Sequence, residues 1–120
     1  MSATTTLHWK AKPDDHDYGA AVEYLSLLMT PTKVAKLLKL MRKAEVTRRK
    51  AKDILRASGL EILPSSNVHV AQDIEKAISG EQLSPILLVR GQPLLIADGY
   101  HRACAAYLLS EDAEVPCQLV

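Results

Sequence analysis

The sequence lacks phenylalanine altogether, and its aromatic residues are one tryptophan and four tyrosines among 120 residues. A hydrophobic core therefore has to be built from Leu, Ile, Val, Ala and Met side chains, which favours helices packed on a small sheet. At this length, with 48% hydrophobic residues, the chain can bury one modest core. We expect a single domain over residues 1–120.

Long apolar runs and targeting signals are also missing. No run approaches the ~18 apolar residues that a membrane-spanning helix needs, and residues 1–6 lack the basic start and apolar stretch of a secretory signal. These absences favour a cytoplasmic location. The only cysteines, Cys104 and Cys117, have apolar neighbours, so we expect both to pack as free thiols in a reducing compartment.

Net charge is small, but the charges are unevenly distributed. The formal net charge is +1, yet residues 33–56, here called the basic segment, hold ten basic residues against two acidic ones. This local charge of +8 leaves −7 for the rest of the chain, which predicts a positive and a negative side. The ten basic residues are Lys33, Lys36, Lys39, Arg42, Lys43, Arg48, Arg49, Lys50, Lys52 and Arg56.

Two interpretations of the basic segment stay open. Clustered Lys and Arg side chains bind nucleic acid by releasing counterions from its phosphates, so one function is a non-enzymatic module that binds nucleic acid or a protein through residues 33–56. The segment has no aromatic residue for base stacking and no helix-turn-helix signature. A solvated face, or docking to an acidic partner, is therefore favoured over sequence-specific DNA recognition.

The first helix is expected to follow an irregular arm, residues 1–12, in which Trp9 is the only strong packing residue. Asp14 or Asp15 is a suitable N-cap. The run Asp14-Asp15-His16-Asp17 contains metal-compatible side chains, but four adjacent residues do not converge on one ion, and carboxylates stabilise a helix start. We expect capping here and no metal site. The stripe expected to face the core is Ala21, Tyr24, Leu25 and Leu28.

Two further helices complete the front half, residues 1–59. Thr30-Pro31 supplies the cap and the first residue of the second helix, and Gly59 ends a third helix that begins at Thr47. Their inward-facing residues are expected to be Val34, Leu37, Leu38 and Met41, then Ala51, Ile54 and Leu55.

The back half, residues 60–120, is predicted to alternate strands and helices. The final strand contains Pro116, which cannot donate to a ladder, so we expect it at a sheet edge, where it would also suit a homodimer. In chain order the elements are a strand over 60–63, a helix with Val70, Ile74, Ala77 and Ile78 inward that ends at Gly80, an antiparallel hairpin of 86–89 and 94–97, a helix over 100–109, and the strand over 115–120.

The run from Pro93 to Ala106 predicts a short strand, a tight turn at Gly99 and a helix with His101 and Arg102 at its start. The first turn of a helix has N–H groups without intrahelical partners, and the helix dipole adds partial positive charge there. Gly99 permits close approach of a ligand, Arg102 has a planar fork suited to phosphate, and His101 titrates near neutral pH. The turn therefore predicts an anion site. The competing interpretation is an ordinary junction, in which Asp98 caps the helix and Arg102 pairs with a surface carboxylate.

Four segments, 73–78, 83–89, 95–106 and 115–116, follow the order helix, Pro-led strand, second strand with a G-x-[HR]-R turn and helix, and closing strand. With this order and spacing, residues 60–120 resemble the ParB/sulfiredoxin-like superfamily. The resemblance implies an α+β fold, a small mixed sheet with packed helices, preceded here by an N-terminal helical part.

Members of that superfamily use the turn to bind nucleotide phosphates, and they include partition proteins that hydrolyse CTP, free-serine kinases with a similar D-G-x-H-R turn, and sulfiredoxins. The resemblance implies that Gly99, Tyr100, His101 and Arg102 bind a nucleotide or another phosphorylated ligand, with CTP, ATP or ADP and Mg²⁺ as candidates. For a phosphotransferase or nucleotide hydrolase, the implied catalytic residues are Asp98, His101 and Arg102.

The sequence departs from the sulfiredoxin pattern at one position. Sulfiredoxins place a catalytic cysteine just before the H-R pair, where this chain has Tyr100, so it lacks the nucleophile for sulfinic acid reduction. Phosphoryl transfer needs a carboxylate to position the acceptor and a site for a divalent ion. Asp98 is one candidate, and Glu61, His69 and Asp73 are expected near the same cleft.

Overall fold

A computed structural model describes residues 6–120, and it shows an α+β fold of five helices and six strands within that range. The elements in chain order are β1 (His8–Trp9), α1 (Asp15–Leu25), α2 (Pro31–Lys43), β2 (Val46–Lys50), α3 (Ala51–Ser58), α4 (Val68–Ile78), β3 (Gln82–Leu83), β4 (Ile86–Val89), β5 (Leu95–Asp98), α5 (Tyr100–Leu109) and β6 (Glu114–Leu119).

Four strands form the main sheet, in the order β2-β6-β4-β5. β4 and β5 pair antiparallel, as the short loop between two apolar runs predicts, while β6 pairs parallel to β4 and antiparallel to β2. A second, two-stranded sheet joins β1 and β3 in parallel. The expected mixed sheet is therefore present.

Helices cover both faces of the main sheet. The strand β4 shows why, since Ile86 and Leu88 pack with α3, α4 and α5, whereas Leu87 and Val89 pack with α1 and α2. Successive residues of a strand point to opposite faces, so a strand buried on both sides becomes a continuous apolar run. This explains the unbroken Ile86-Leu87-Leu88-Val89 sequence.

Several predicted elements are confirmed. Helix α2 begins at Pro31 after the Thr30 cap, whose hydroxyl accepts a hydrogen bond from the Lys33 amide, and its buried residues are Val34, Leu38 and Met41. Helix α5 spans the predicted range. Gly59 ends α3 with a φ of 70°, the left-handed conformation that glycine tolerates. Cys104 and Cys117 are buried free thiols, as expected.

The largest correction concerns residues 47–50, which were expected at the start of the third helix but form, together with Val46, the strand β2. All five of these residues pair with β6, and the helix begins only at Ala51. As a consequence β6 is an internal strand, and its predicted edge position is wrong. Pro116 is accommodated because it lies opposite Arg48 in β2, and the ladder to β4 begins one residue later, at Cys117.

Other corrections have a similar cause. Residues 60–63 form no strand, because no neighbouring strand pairs with them, and Leu60 and Ile62 are exposed. In the arm expected to be irregular, His8 and Trp9 pair with β3; residues 1–5 of that arm lie outside the described residues. The inward stripes also shift, since Tyr24, Leu28 and Ile78 are exposed and Leu37 and Ile74 only partly buried.

None of the helices between residues 6 and 120 has the length and apolar character needed to span a bilayer. The longest of them, α2, has 13 residues and buries only one side.

Gly99, between β5 and α5, is required by its backbone and by its neighbours. Its φ is 106°, and a Cβ there would lie 2.9 Å from Ile86 Cγ1 and 3.0 Å from Arg102 Nη2. We therefore expect Gly99→Ala to lower the free energy of unfolding by about 1–3 kcal/mol, measured by urea denaturation.

Gly19 is the matched control, because it lies within α1 and a Cβ there would meet no atom within 4 Å. Gly19→Ala should raise the unfolding free energy by about 0.5–1 kcal/mol through helix propensity. An equal effect of the two substitutions would contradict the strained turn.

Candidate functional site

The predicted turn lies where the main sheet meets α5. Strand β5 ends at Asp98, Gly99 is the N-cap of α5, and no side chain caps the helix. The expectation that Asp98 serves as an ordinary cap is therefore wrong. Among residues 6–120, no side chain accepts from the backbone N–H groups at the start of α5, which is the condition for an anion site.

A cavity of about 150 Å³ opens beside this turn. One wall is the turn itself, with Asp98, Gly99, His101 and Arg102, and the other comes from α4. The α4 residues are His69, Gln72 and Asp73. We call this cavity between the turn and α4 the turn cavity. It brings together chain segments that are distant in sequence.

Two imidazoles face each other in the turn cavity. The ring centroids of His69 and His101 are 4.8 Å apart with the planes inclined at 49°. Burial lowers the pKa of the His101 imidazole, and the neighbouring His69 acts in the same direction. His101 is therefore a neutral imidazole at pH 7, which can donate one hydrogen bond and accept another.

Arg102 points largely inward. Its Nη2 donates to Asp98 Oδ2 at 3.1 Å and to the Pro85 carbonyl at 3.3 Å, and its Nη1 lies 3.7 Å from Asp17 Oδ1. Only 15% of its side chain is exposed. Within the described part of the chain, its buried Nε has no hydrogen-bond partner. The guanidinium therefore contributes positive charge to the turn cavity, while much of its fork is already engaged by carboxylates.

Asp17 contacts Arg102 at the candidate site, and this contact was not predicted from the sequence. Its residue exposure is 1%, and its Oδ2 accepts a hydrogen bond from the Asp14 amide at 2.8 Å. The capping role predicted for the acidic run is thus present at Asp14 and Asp17. The pairing of Asp17 with Arg102 left no signal in the sequence, because it joins α1 to α5 across the fold.

The pKa values of the carboxyl groups follow their burial. Desolvation raises the pKa of Asp98 to about 6, with the adjacent Asp17 raising it further and Arg102 lowering it. Desolvation also raises the pKa of Asp73, against the opposing effect of Arg102. Asp98 therefore exchanges a proton with solvent at a pH just below neutral.

Tyr100 and Glu61 are positioned differently from the other predicted residues. The Tyr100 hydroxyl donates to the Glu61 backbone carbonyl at 2.6 Å, so the Glu61 contact is made by the main chain. Tyr100 lines a second cavity of about 360 Å³ on the other side of the turn, which also contacts Asp98, Gly99 and His101. Its more apolar wall is formed by Ala20, Tyr24, Leu60, Ile96 and Ala97.

The acidic run at α1 has ligand atoms of Asp14, His16 and Asp17 within 4.8 Å of one another. Those carboxylates already have partners. Asp14 Oδ2 accepts hydrogen bonds from Lys10 Nζ at 2.6 Å and from Ser84 Oγ at 3.1 Å. The lysine ammonium occupies the position of a cation, so capping and ion pairing account for this group.

A larger cavity of about 560 Å³ lies along the C-terminal part of α4. It is lined by Gln72, Glu75, Lys76, Ile78, Ser79 and Glu81. The cavity lies toward the end of α4, and no helix begins there. Volume alone does not indicate a functional site, so the turn cavity is the stronger candidate.

Three comparisons with known proteins, against family models, curated proteins and solved structures, find no match to this chain. Its function is therefore inferred from the geometry of the turn cavity.

A substitution at Asp98 tests whether desolvation or the charge of Arg102 has the larger effect on the pKa of this carboxyl group. A carboxyl group whose pKa is about 6 in the folded state, against an ordinary value of 3.8, holds its proton more tightly when folded. Its contribution to the unfolding free energy is therefore greatest below about pH 4 and falls as the pH rises to 6. Asp98→Asn removes this titration while retaining an acceptor for Arg102.

Urea denaturation of both proteins at several pH values gives the difference in unfolding free energy, variant minus wild type. We expect the difference to rise between pH 4 and 6 and to level off above. Asp73 is present in both proteins, so its contribution to the pH dependence cancels in the difference. A difference that falls over this range would mean that Arg102 outweighs burial.

Arg102 is expected to be a structural as well as an electrostatic residue. Arg102→Ala leaves Asp17 and Asp98 buried without their cation, which should lower the unfolding free energy by about 3 kcal/mol. Arg56→Ala is the control, since the Arg56–Asp53 pair is exposed and such pairs contribute little. Equal melting temperatures of the two variants would refute the buried network.

Proposed function

We propose that this protein binds a nucleotide or another phosphorylated small molecule at the turn cavity. The observation that carries the proposal is the uncapped start of α5, which opens onto a cavity lined by two imidazoles and one guanidinium. Main-chain N–H groups at a helix start bind phosphate oxygens directly.

Main-chain amides, imidazoles and a guanidinium contribute to phosphate binding in different ways. The amides of Tyr100 and His101 and the imidazoles of His69 and His101 donate hydrogen bonds. Arg102, held by Asp98 and Asp17, acts mainly through its charge. This differs from the outward-facing fork that the turn motif suggested, and it makes the imidazoles the side chains on which affinity depends.

Carboxylates limit what the turn cavity accepts. Asp73 and Asp98 line it together with one guanidinium, so a bare phosphate meets two potential negative charges at neutral pH. Carboxylate oxygens are the ligands that Mg²⁺ prefers in proteins, and Asp73 fits a phosphate-bound Mg²⁺, which leaves Asp98 able to accept a proton. The ion would supply neutralisation of the phosphate charge, and binding should strengthen when it is present.

The second cavity provides an apolar wall for the part of the ligand that carries no phosphate. The turn cavity alone is too small for a whole nucleotide, but the two cavities share Asp98, Gly99 and His101. Together they lie within the range of about 300–1,000 Å³ that is typical of small-molecule sites. A base packed beside Tyr24 and Tyr100 would place its phosphates at the start of α5.

We extend the proposal to chemistry of the phosphotransferase or nucleotide hydrolase type. Asp98, with a pKa of about 6, is suited to accept a proton from an attacking hydroxyl or water near neutral pH. Neutral His101 is a second acceptor, and Arg102 stabilises the charge that develops on the phosphoryl oxygens. Distant membership of the ParB/sulfiredoxin-like superfamily is part of the same proposal, supported by the order of elements from α4 to β6.

Titration calorimetry with CTP, ATP and ADP, with and without Mg²⁺, tests the proposal. We expect heat from at least one nucleotide and tighter binding with Mg²⁺. His101→Gln and His69→Gln should each weaken that binding by about tenfold or more, because each removes a hydrogen bond to a charged group. His8→Gln is the control, since His8 lies in β1, outside both cavities, and is exposed.

A melting-temperature measurement accompanies the titration. A ligand at about 100 times its dissociation constant stabilises the folded state by roughly 2.7 kcal/mol. No heat from any of the three nucleotides together with an unchanged melting temperature would overturn the proposal. Unaltered binding by His101→Gln would move the ligand away from the turn cavity.

A further inference from the structure

Helix α2 presents its lysines on the side opposite to its packing face. Val34, Leu38 and Met41 are buried against the sheet, and positions 33, 36, 39 and 43 fall on the other half of the helix at 3.6 residues per turn. The lysines at these positions are all exposed. They form a row about 15 Å long, at a rise of 1.5 Å per residue.

Strand β2 adds an arginine on the same side of the molecule. Val46 lies opposite Gln118, whose amide donates to the Ala44 carbonyl at the end of α2. Arg48 shares this sheet face with Val46, because side chains alternate along a strand. We call Lys33, Lys36, Lys39, Lys43 and Arg48 together the basic surface.

The cations of the basic surface have no ion-pair partners in the part of the chain that the structure describes. Among residues 6–120, no carboxylate lies within 4.0 Å of any of these five side chains. Four of the other five basic residues of the segment differ: Arg42 pairs with Asp15, Lys50 and Lys52 pair with Asp112, and Arg56 pairs with Asp53. The fifth, Arg49, lies on the opposite face of β2 from Arg48. The charge of the basic surface is therefore available to an external polyanion.

The chemistry of the basic surface favours phosphates over an acidic protein. Protein interfaces are anchored by buried aromatic and apolar side chains, and the segment from 33 to 56 contains no aromatic residue. The exposed Leu40 is the one large apolar side chain among the lysines, and a single exposed leucine is ordinary. The lack of aromatic residues also removes the stacking platforms that single strands use.

We propose that the basic surface binds the phosphate backbone of a nucleic-acid duplex without reading its sequence. A duplex carries one charge per about 1.7 Å of axis, so a row of this length meets several phosphates at once. This function does not depend on the turn cavity, which lies at α5 and α4.

Fluorescence anisotropy with a labelled mixed-sequence DNA duplex, measured between 50 and 200 mM salt, tests the proposal. Five phosphate contacts predict a slope of log affinity against log salt near −4.5, a loss of roughly 500-fold over this range. An RNA duplex of the same length distinguishes the two kinds of nucleic acid, and binding of either one supports the proposal.

Two double variants with the same change in net charge locate the surface. Lys36→Gln with Lys43→Gln should reduce the slope by about 1.8, because two phosphate contacts are lost. Lys52→Gln with Arg56→Gln removes two cations already paired with Asp112 and Asp53 and should leave the slope unchanged. Both variants change exposed or half-exposed side chains, and their melting temperatures check that the fold is retained.

Four outcomes would overturn the proposal. These are no binding of either duplex at 50 mM salt, binding that does not change with salt, an equal loss in both double variants, and tighter binding of poly-glutamate than of either duplex at matched charge. The last result would assign the surface to an acidic protein partner.

Discussion

The ion network of Asp17, Arg102 and Asp98 is the interaction on which the rest of the site depends. It joins α1, the end of β5 and the first turn of α5 through one guanidinium, with Asp17 buried and Asp98 and Arg102 largely shielded from solvent. Gly99 is compatible with this network because its missing Cβ leaves room for Arg102 Nη2 and Ile86. The start of α5 is fixed in place as a consequence, and within the described residues no side chain caps it.

The network also sets the electrostatics of the turn cavity. Arg102 donates a hydrogen bond to Asp98 and forms an ion pair with Asp17, so the cavity is less positive than the D-G-Y-H-R sequence suggests. Burial opposes ionisation of Asp98 and Asp73, and this limits the negative charge that a phosphate would meet. The balance between a guanidinium, two aspartates and neutral imidazoles favours an anion that arrives with its own cation. The basic surface on α2 and β2 differs from the turn cavity, because its cations are exposed and, within the described residues, unpaired.

Local patterns in the sequence predicted the elements that local interactions determine. The Thr30-Pro31 start of α2, the Gly59 end of α3, the hairpin of β4 and β5 and the turn before α5 each carry their own capping, glycine or apolar signal. Residues 46–50 carry no such signal, because they form a strand only by pairing with β6, and the Leu60–Leu63 run stays irregular because no strand is adjacent. The same reasoning applies to the site. Gly99, His101 and Arg102 lie in one short run and were predicted, whereas the contact of Asp17 with Arg102 depends on how α1 packs against the sheet.

The most direct test of the central claim is an amide-resolved NMR titration of the protein with Mg²⁺ and the nucleotide that binds in calorimetry. If phosphate is held at the start of α5, the backbone N–H resonances of Tyr100 and His101 shift first and furthest, together with the His69 ring protons. Resonances of Lys36 and Lys43 in α2 stay in place. Shifts confined to α2 and β2, with the amides of residues 99–102 unchanged, would contradict the assignment of the ligand to the turn cavity.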